Sequence, residues 1–229
     1  MILQLIFIDI NKNYINKNMN YFIFFFILFY VSDSFLQSFT DLHGLYYLFH
    51  FLHNIIISIL TFDNVLESFQ YEPPNGVLHP YVIPLVYSLH CYHITNYYSY
   101  FRKDDWYHHI FSMIFAVPIV LLCFPNRNLL GFSFFFTTGL PGGLNYLNMF
   151  LYKNFLLSKK KQQYFNTILN SWIRCPGILF NCALILQYLS NYSTDSISFF
   201  IGLIPFSILF WNGVYFQNIV LENFYSKYK

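Results

Sequence analysis

The chain has 229 residues, of which 56% are hydrophobic and only 10% are charged. A soluble domain carries roughly 25% charged residues, so this composition excludes a globule whose surface is covered by polar side chains in water. The formal net charge is +2, and no basic domain or array of Lys, Arg and aromatic residues indicates nucleic-acid binding. The numbers predict an integral membrane protein.

Seven stretches are apolar enough, over about 20 residues, to be interpreted as membrane-spanning helices. They are residues 21–39, 42–62, 78–98, 106–125, 129–151, 172–190 and 196–217. Continuous apolar runs, rather than alternation, argue against a β-barrel. The predicted fold class is therefore all-α, a polytopic transmembrane helix bundle with six to seven spans. The first stretch is the least secure because Ser32, Asp33 and Ser34 interrupt it; it is otherwise a signal anchor or an interfacial helix.

Lysine and arginine residues predict the orientation of these spans. With seven spans, one side holds eight basic residues: Arg102, Lys103, Lys153, Lys159, Lys160, Lys161, Lys227 and Lys229. The other side holds three: Lys12, Lys17 and Arg127. Because basic loops stay in the cytosol, the C-terminus is expected there. The predicted organisation is an N-terminal extension with one candidate span (1–40), a transmembrane domain (41–220) and a short cytosolic tail (221–229).

Histidines concentrate around the third and fourth predicted spans. His90 and His93 lie three residues apart, on one helical face near the cytosolic end of the third span. His108 and His109 begin the fourth span after a short loop. Since two antiparallel spans bring these positions to a similar depth, the four imidazoles can converge, and we predict that His90 and His93 bind substrate.

An acidic residue precedes the histidine pair. Asp105 lies three and four residues before His108 and His109, so either ring could donate a hydrogen bond to it. Such a carboxylate fixes the tautomer and makes the other ring nitrogen more basic, as a general base requires. His108, His109 and Asp105 are therefore the candidate catalytic residues. The alternative is that Asp104 and Asp105 only cap the helix, and that Trp106 and Tyr107 are interfacial aromatic residues.

The fifth span contains the sequence Thr137-Thr138-Gly139-Leu140-Pro141-Gly142-Gly143-Leu144-Asn145. Proline and glycine weaken a helix, and backbone groups freed at membrane depth must be covered by protein or line a cavity. Thr137, Thr138 and Asn145 are therefore candidate substrate-binding residues, and a packing kink is the alternative. Arg174, before Cys175-Pro176-Gly177, is a further candidate that either extends to the interface or binds a lipid phosphate.

Two other sets of residues are interpreted as structural. His43, His50 and His53 lie at helical spacing on the second span, where we expect satisfied interhelical hydrogen bonds. The four cysteines, which lie in or beside apolar runs without zinc-type spacing, are expected to be reduced packing residues: Cys91, Cys123, Cys175 and Cys182.

A multi-span chain with a His-His pair at a helix start resembles the TLC-domain family of membrane proteins, which includes the ceramide synthases. The resemblance covers roughly residues 40–220 and implies an all-helical protein of the endoplasmic reticulum or a related membrane. It also implies acyl transfer from acyl-coenzyme A, as co-substrate, to a sphingoid amine, with His108 and His109 as the paired histidines. Residues 139–145 fall where the synthases carry a downstream His-Asp signature, and this chain has neither residue type there. The pattern is closer to relatives that influence lipid composition or handling.

We predict a lipid-handling membrane protein without a bound metal or cofactor, whose partner is a membrane lipid; a homodimer is left open. One alternative is a non-enzymatic lipid sensor or scaffold. Another is a di-iron lipid hydroxylase, suggested by His50-x-x-His53, His90-x-x-His93 and the His-His pair, because imidazole is a good iron ligand. Such enzymes need histidines spread along the chain, and residues 110–229 contain none.

Overall fold

The computed structural model describes residues 12–70, 77–101 and 103–228, and every regular element in these ranges is helical. The α-helices are α1 (Lys12–Phe39), α2 (Leu45–Glu67), α3 (Val82–Tyr97), α4 (Lys103–Ile110), α5 (Val117–Cys123), α6 (Arg127–Phe134), α7 (Leu140–Lys153), α8 (Lys159–Leu169), α9 (Cys175–Tyr192) and α10 (Ser196–Tyr228). The all-α prediction is confirmed.

Wider, π-helical segments join three consecutive helix pairs. Phe111–Ala116 connects α4 to α5, Phe135–Gly139 connects α6 to α7, and Asn170–Arg174 connects α8 to α9. Each segment ends two residues before a proline: Pro118, Pro141 and Pro176 lie in the first turn of α5, α7 and α9. Proline lacks an N–H and disturbs the normal helical ladder, so the break predicted at Pro141 takes the form of a π-helical turn.

Four helices within the described residues are long and apolar enough to cross a membrane: Asn18–Phe39, Leu45–Glu67, Lys159–Tyr192 and Ser196–Ser226. They coincide with four of the predicted stretches, and the membrane-spanning character is confirmed to this extent. Of the other three stretches, 78–98 holds the 16-residue α3. The stretches 106–125 and 129–151 are each divided by a π-helical segment. A count of six to seven spans stays a prediction.

The chain divides into two compact units. Unit 1 comprises Met1–Thr40 and Pro80–Leu122, and unit 2 comprises Asp41–His79 and Cys123–Lys229. In unit 1, α1 packs along α3 through aromatic side chains. Tyr81 contacts the rings of Tyr21 and Phe25, with centroids 4.5 and 5.9 Å apart. Phe29 lies 5.8 Å from Tyr92 in the same way. Of the predicted extension 1–40, residues 12–40 are described, and they share a unit with Pro80–Leu122.

In unit 2, helices approach closely where glycine replaces a side chain. A β-carbon added to Gly143 of α7 would lie 3.2 Å from the β-carbon of Asn54 in α2. One added to Gly177 of α9 would overlap the ring of Phe136. Small residues allow this close packing in membrane helices, where dispersion contacts replace much of the hydrophobic driving force. In the same unit, α10 continues to Tyr228, through most of the predicted tail. In both units together, all four cysteines of the chain are free.

Candidate functional site

Two histidines of α3 are buried in unit 1. His90 and His93 are three positions apart, so they lie on one face of the helix, and both are buried. Nδ1 of His90 donates a hydrogen bond to the carbonyl oxygen of Val86 at 2.8 Å. Because this bond needs a proton on Nδ1, the neutral ring of His90 keeps Nε2 as its basic nitrogen.

A third histidine joins this pair from the next helix. His109 of α4 is 1% exposed, and its ring centroid lies 5.2 Å from that of His90 and 5.9 Å from that of His93. Both ring pairs are close to perpendicular. Phe101 also stacks on the ring of His109, with centroids 4.7 Å apart and the planes 7° apart. The structure therefore brings together three of the four imidazoles selected from the sequence; we call His90, His93 and His109 the histidine cluster.

The other two candidate catalytic residues fall outside this description. Asp105 and His108 belong to the backbone of α4, but their side chains lie outside the described residues. The prediction that Asp105 orients a histidine of the pair stays a prediction.

A buried carboxylate that sequence reasoning did not select lies beside the cluster. Asp33 of α1 is 1% exposed and accepts hydrogen bonds from the Tyr97 hydroxyl at 2.9 and 3.1 Å. It also accepts from Gln37 Nε2 at 2.8 Å and from Asn96 Nδ2 at 3.4 Å. The ring of Tyr97 is 6.2 Å from that of His93, so Tyr97 contacts both the carboxylate and the histidine cluster.

A signal for Asp33 was present in the sequence. An acidic residue within an apolar run is a functional-site candidate by default, because exposing it to hydrocarbon is costly. In the sequence, Asp33 stands out only as an interruption of the first span. Residues 106–194 contain no Asp or Glu, so a carboxylate partner for the histidines has to come from Asp104, Asp105 or the N-terminal half, where Asp33 lies.

The cluster is suited to proton transfer. An imidazole near neutral pH can accept a proton from one group and donate it to another. Within the described residues, no group of three or more His, Cys, Asp or Glu side chains has the geometry of a metal site.

The remaining candidate residues belong to unit 2. The hydroxyl groups of Thr137 and Thr138 donate to the carbonyl oxygens of Ser133 and Phe134, at 2.7 and 2.9 Å. Both hydroxyl groups thus bond to the backbone of the preceding turn. Asn145 has a buried side-chain oxygen that accepts no hydrogen bond from the described residues.

Arg174 donates to Oδ1 of Asn170 and to Oδ1 of Asn212, at 3.4 and 3.1 Å. Of the six predicted substrate-binding residues, unit 1 thus contains two, His90 and His93. Unit 2 contains the other four: Thr137, Thr138, Asn145 and Arg174. Substrate binding by these residues stays a prediction.

The histidines of α2 have packing partners in unit 2. His50 stacks on Tyr146 of α7, with centroids 4.0 Å apart and planes 4° apart. Nδ1 of His53 donates to Oδ1 of Asn54 at 2.8 Å. His43 precedes α2 and is exposed. The aromatic contact of His50 agrees with a structural role for this stripe, and the expected interhelical hydrogen bonds stay a prediction.

Comparisons of the chain with protein-family models, with curated proteins and with solved structures found no match. The TLC-like resemblance therefore depends on the His-His pair at the start of a helix and on the predicted spans.

Proposed function

We propose that this chain is a TLC-like integral membrane protein that binds a membrane lipid and acts on its polar head through the histidine cluster. The observation that carries the proposal is the convergence of His90, His93 and His109, with ring separations of 5.2 and 5.9 Å. Burial of ionisable side chains in a membrane protein is costly, and such residues usually serve a substrate, an ion or a proton path. A lipid head with an amine or hydroxyl group is a substrate that a membrane-embedded base can reach.

Acyl transfer is the reaction that this base would support. The nitrogen of a sphingoid amine attacks the thioester carbonyl carbon of acyl-coenzyme A, a C–N bond forms and the C–S bond breaks. The proton lost by the amine passes to an imidazole and then to the departing thiolate, so acyl-coenzyme A is the only co-substrate. We assign the base to His109 or His108, with Asp105 orienting the ring, and substrate contacts to His90 and His93.

The test compares wild type with His109→Gln and with the double variant His108→Gln/His109→Gln, in membranes supplied with labelled acyl-coenzyme A and a sphingoid base. Loss of a general base lowers a rate by about 10²–10⁴-fold, and we expect product formation to fall by that amount. His43→Gln is the matched control, because it makes the same change at an exposed histidine. Equal product from wild type and the double variant, at equal expression, would contradict the proposal, because the double variant lacks both candidate bases.

A non-enzymatic lipid sensor or membrane scaffold is the second candidate, and the packing of His109 favours it. A ring stacked on Phe101 at 4.7 Å can serve mainly to hold helices together. This function predicts that lipid copurifies with the protein while its expression leaves cellular lipid composition unchanged. His109→Gln would then lower the thermal midpoint without altering the copurified lipid.

We further propose six or seven spans, a cytosolic C-terminus and residence in the endoplasmic reticulum or a related endomembrane. The uneven distribution of Lys and Arg supports this orientation, and the TLC-like resemblance supports the compartment. Glycosylation acceptor tags test the topology. We expect modification of a tag inserted between α2 and α3, and none of a tag at the C-terminus; the reverse pattern would invert the proposed orientation.

A further inference from the structure

Arg174 of unit 2 is a charged group that the chemistry proposed above does not use. It ends the π-helical segment before α9, and its guanidinium donates to the side-chain oxygens of Asn170 and Asn212. The same group lies over the ring of Phe216, 4.9 Å from its centroid. Among the described residues no carboxylate forms an ion pair with Arg174, and residues 106–194 contain no Asp or Glu. Neutral groups therefore hold a full positive charge in place.

The groups that hold Arg174 are themselves fixed. Nδ2 of Asn170 donates to the backbone and side-chain oxygens of Asn166, at 2.9 and 2.7 Å, which turns Oδ1 of Asn170 toward the guanidinium. Ser171 lies one turn before Arg174 in the π-helical segment. Its Oγ accepts a hydrogen bond from Nε2 of Gln217 at 2.7 Å, which connects α10 to this segment. A guanidinium has five N–H donors in a planar fork, so the donors that remain suit a bidentate acceptor such as phosphate.

Exposed aromatic side chains indicate the depth of Arg174. Trp172, two residues earlier, is 78% exposed, and Trp211 and Tyr215 of α10 are also exposed beside Asn212. Tryptophan and tyrosine collect at the level of lipid headgroups. The 18 residues of α9 that follow Arg174 span about 27 Å, close to the ~30 Å hydrocarbon core of a bilayer. Both observations put Arg174 at the depth of phospholipid phosphates.

We propose that Arg174, Asn170 and Asn212 form a binding site for the phosphate of an anionic phospholipid. The guanidinium contacts the phosphate as a two-point donor, and Phe216 supports its plane by a cation–π contact. Asn212, whose Oδ1 accepts from Arg174, keeps its Nδ2 as a further donor to phosphate. An anionic headgroup is preferred over a choline headgroup because the latter adds a second cation near Arg174. This inference does not rest on the proposed histidine chemistry, since all its residues belong to unit 2.

Tryptophan fluorescence gives a direct test, because two of the three tryptophans flank the site. The full chain carrying Trp106→Phe is reconstituted into phosphatidylcholine vesicles that contain increasing fractions of brominated phosphatidylglycerol or brominated phosphatidylcholine. We expect half-maximal quenching at an about tenfold lower mole fraction of the anionic lipid, as one charge-assisted bidentate contact would produce. The further change Arg174→Gln should remove this preference, whereas Arg127→Gln, at an exposed position of α6, should leave it intact.

Two more variants keep the test valid if Arg174→Gln does not fold. Arg174→Lys retains the charge without the two-point geometry and should keep only part of the preference, and Asn212→Ala should weaken it likewise. Equal quenching by both lipids in the protein with Arg174 intact, or an unchanged preference in folded Arg174 variants, would overturn the proposal. Quenching by brominated phosphatidylglycerol that is relieved by millimolar inorganic phosphate would also overturn it, since the site would then take free phosphate rather than a headgroup.

Discussion

The hydroxyl of Tyr97 donates a hydrogen bond to the carboxylate of Asp33 at 2.9 Å, although 64 positions of sequence separate the two residues. The bond joins α1 to α3 within unit 1 and places a buried acid next to a ring that contacts His93. Buried acids are tolerated only where donors surround them. Asp33 meets this condition through Tyr97, Gln37 and Asn96.

Removing the hydroxyl should therefore destabilise unit 1. Tyr97→Phe keeps the ring but deprives a buried carboxylate of its closest interhelical donor, and hydrogen bonds to charged groups contribute about 1.5–3 kcal/mol. We expect a loss of about 2 kcal/mol in the free energy of unfolding. Denaturant titration in detergent micelles measures it. Tyr100→Phe is the control, because Tyr100 is 80% exposed and should change stability little. Equal losses from both variants would show that the Asp33 contact carries no energy.

The length of apolar runs made the helical, membrane-spanning class predictable. The stretches 42–62 and 196–217 appear as α2 and the long α10, because backbone groups in lipid must be satisfied within a helix. The prediction that His90, His93 and the pair at 108–109 approach one depth followed from helix spacing and a short loop. Its geometry is reproduced for His109.

Other features depend on tertiary contacts that local patterns do not encode. Ser32, Asp33 and Ser34 interrupt the apolar run, yet α1 continues through them to Phe39. The reason is that Asp33 has donors on α3 and Ser34 donates to the carbonyl of Tyr30. The π-helical turn at Phe111–Ala116 is different, because Pro118 follows it at the same two-residue spacing that Pro141 and Pro176 have, so a local signal for this turn was present in the sequence.

A second polar contact joins α2 and α6 in unit 2. Nδ2 of Asn64 donates to Oδ1 of Asn128 at 2.8 Å. In return, Nδ2 of Asn128 donates to Oγ of Ser68 at 2.8 Å and to the carbonyl oxygen of Asn64 at 3.1 Å. Asn128 is fully buried. Asn128→Ala leaves several buried groups short of a partner, so we expect a loss of about 1–3 kcal/mol in the free energy of unfolding.

Thermal and denaturant unfolding in micelles measures this loss. Asn191→Ala changes the same residue type at an exposed position of α9, and its effect should stay within about 0.5 kcal/mol. A loss for Asn128→Ala no larger than that for Asn191→Ala would show that the network is replaced by water.

The end of α7 contains a backbone conformation that suits glycine. Phe155 has φ 60°, and the N–H of Leu156 donates to the carbonyl of Leu151 at 2.9 Å, as in a Schellman motif. A side chain in this left-handed conformation costs roughly 1 kcal/mol. Phe155 is 89% exposed, so its ring contributes little packing within the chain. Phe155→Gly should raise the free energy of unfolding by about 0.5–1 kcal/mol.

The control for this variant is its neighbour. Leu156→Gly also replaces an exposed apolar side chain by glycine, but Leu156 has no positive φ to relieve. It should lower stability by about 0.5–1 kcal/mol, because glycine only adds freedom to the unfolded chain. Changes of the same sign in both variants, measured in micelles of one detergent, would contradict the role of the left-handed conformation.

Asp195 predicts how stability changes with pH. Its carboxylate accepts from the backbone N–H of Ser198 at 2.7 Å, from the hydroxyl of Ser198 at 3.1 Å and from Thr194 at 3.3 Å, at the start of α10. The backbone bond, before the others, holds the pKa of Asp195 below its ordinary value. A carboxyl whose pKa is lower in the folded state stabilises the fold above its unfolded pKa of about 3.9. That contribution is lost as the pH falls through the folded pKa.

Asp195→Asn should therefore reduce the drop in thermal midpoint between pH 5 and the acid limit. The control is Glu222→Gln, which removes a negative charge at an exposed position of α10. A carboxyl titration by NMR that places the pKa of Asp195 at or above its ordinary value would refute the capping interaction.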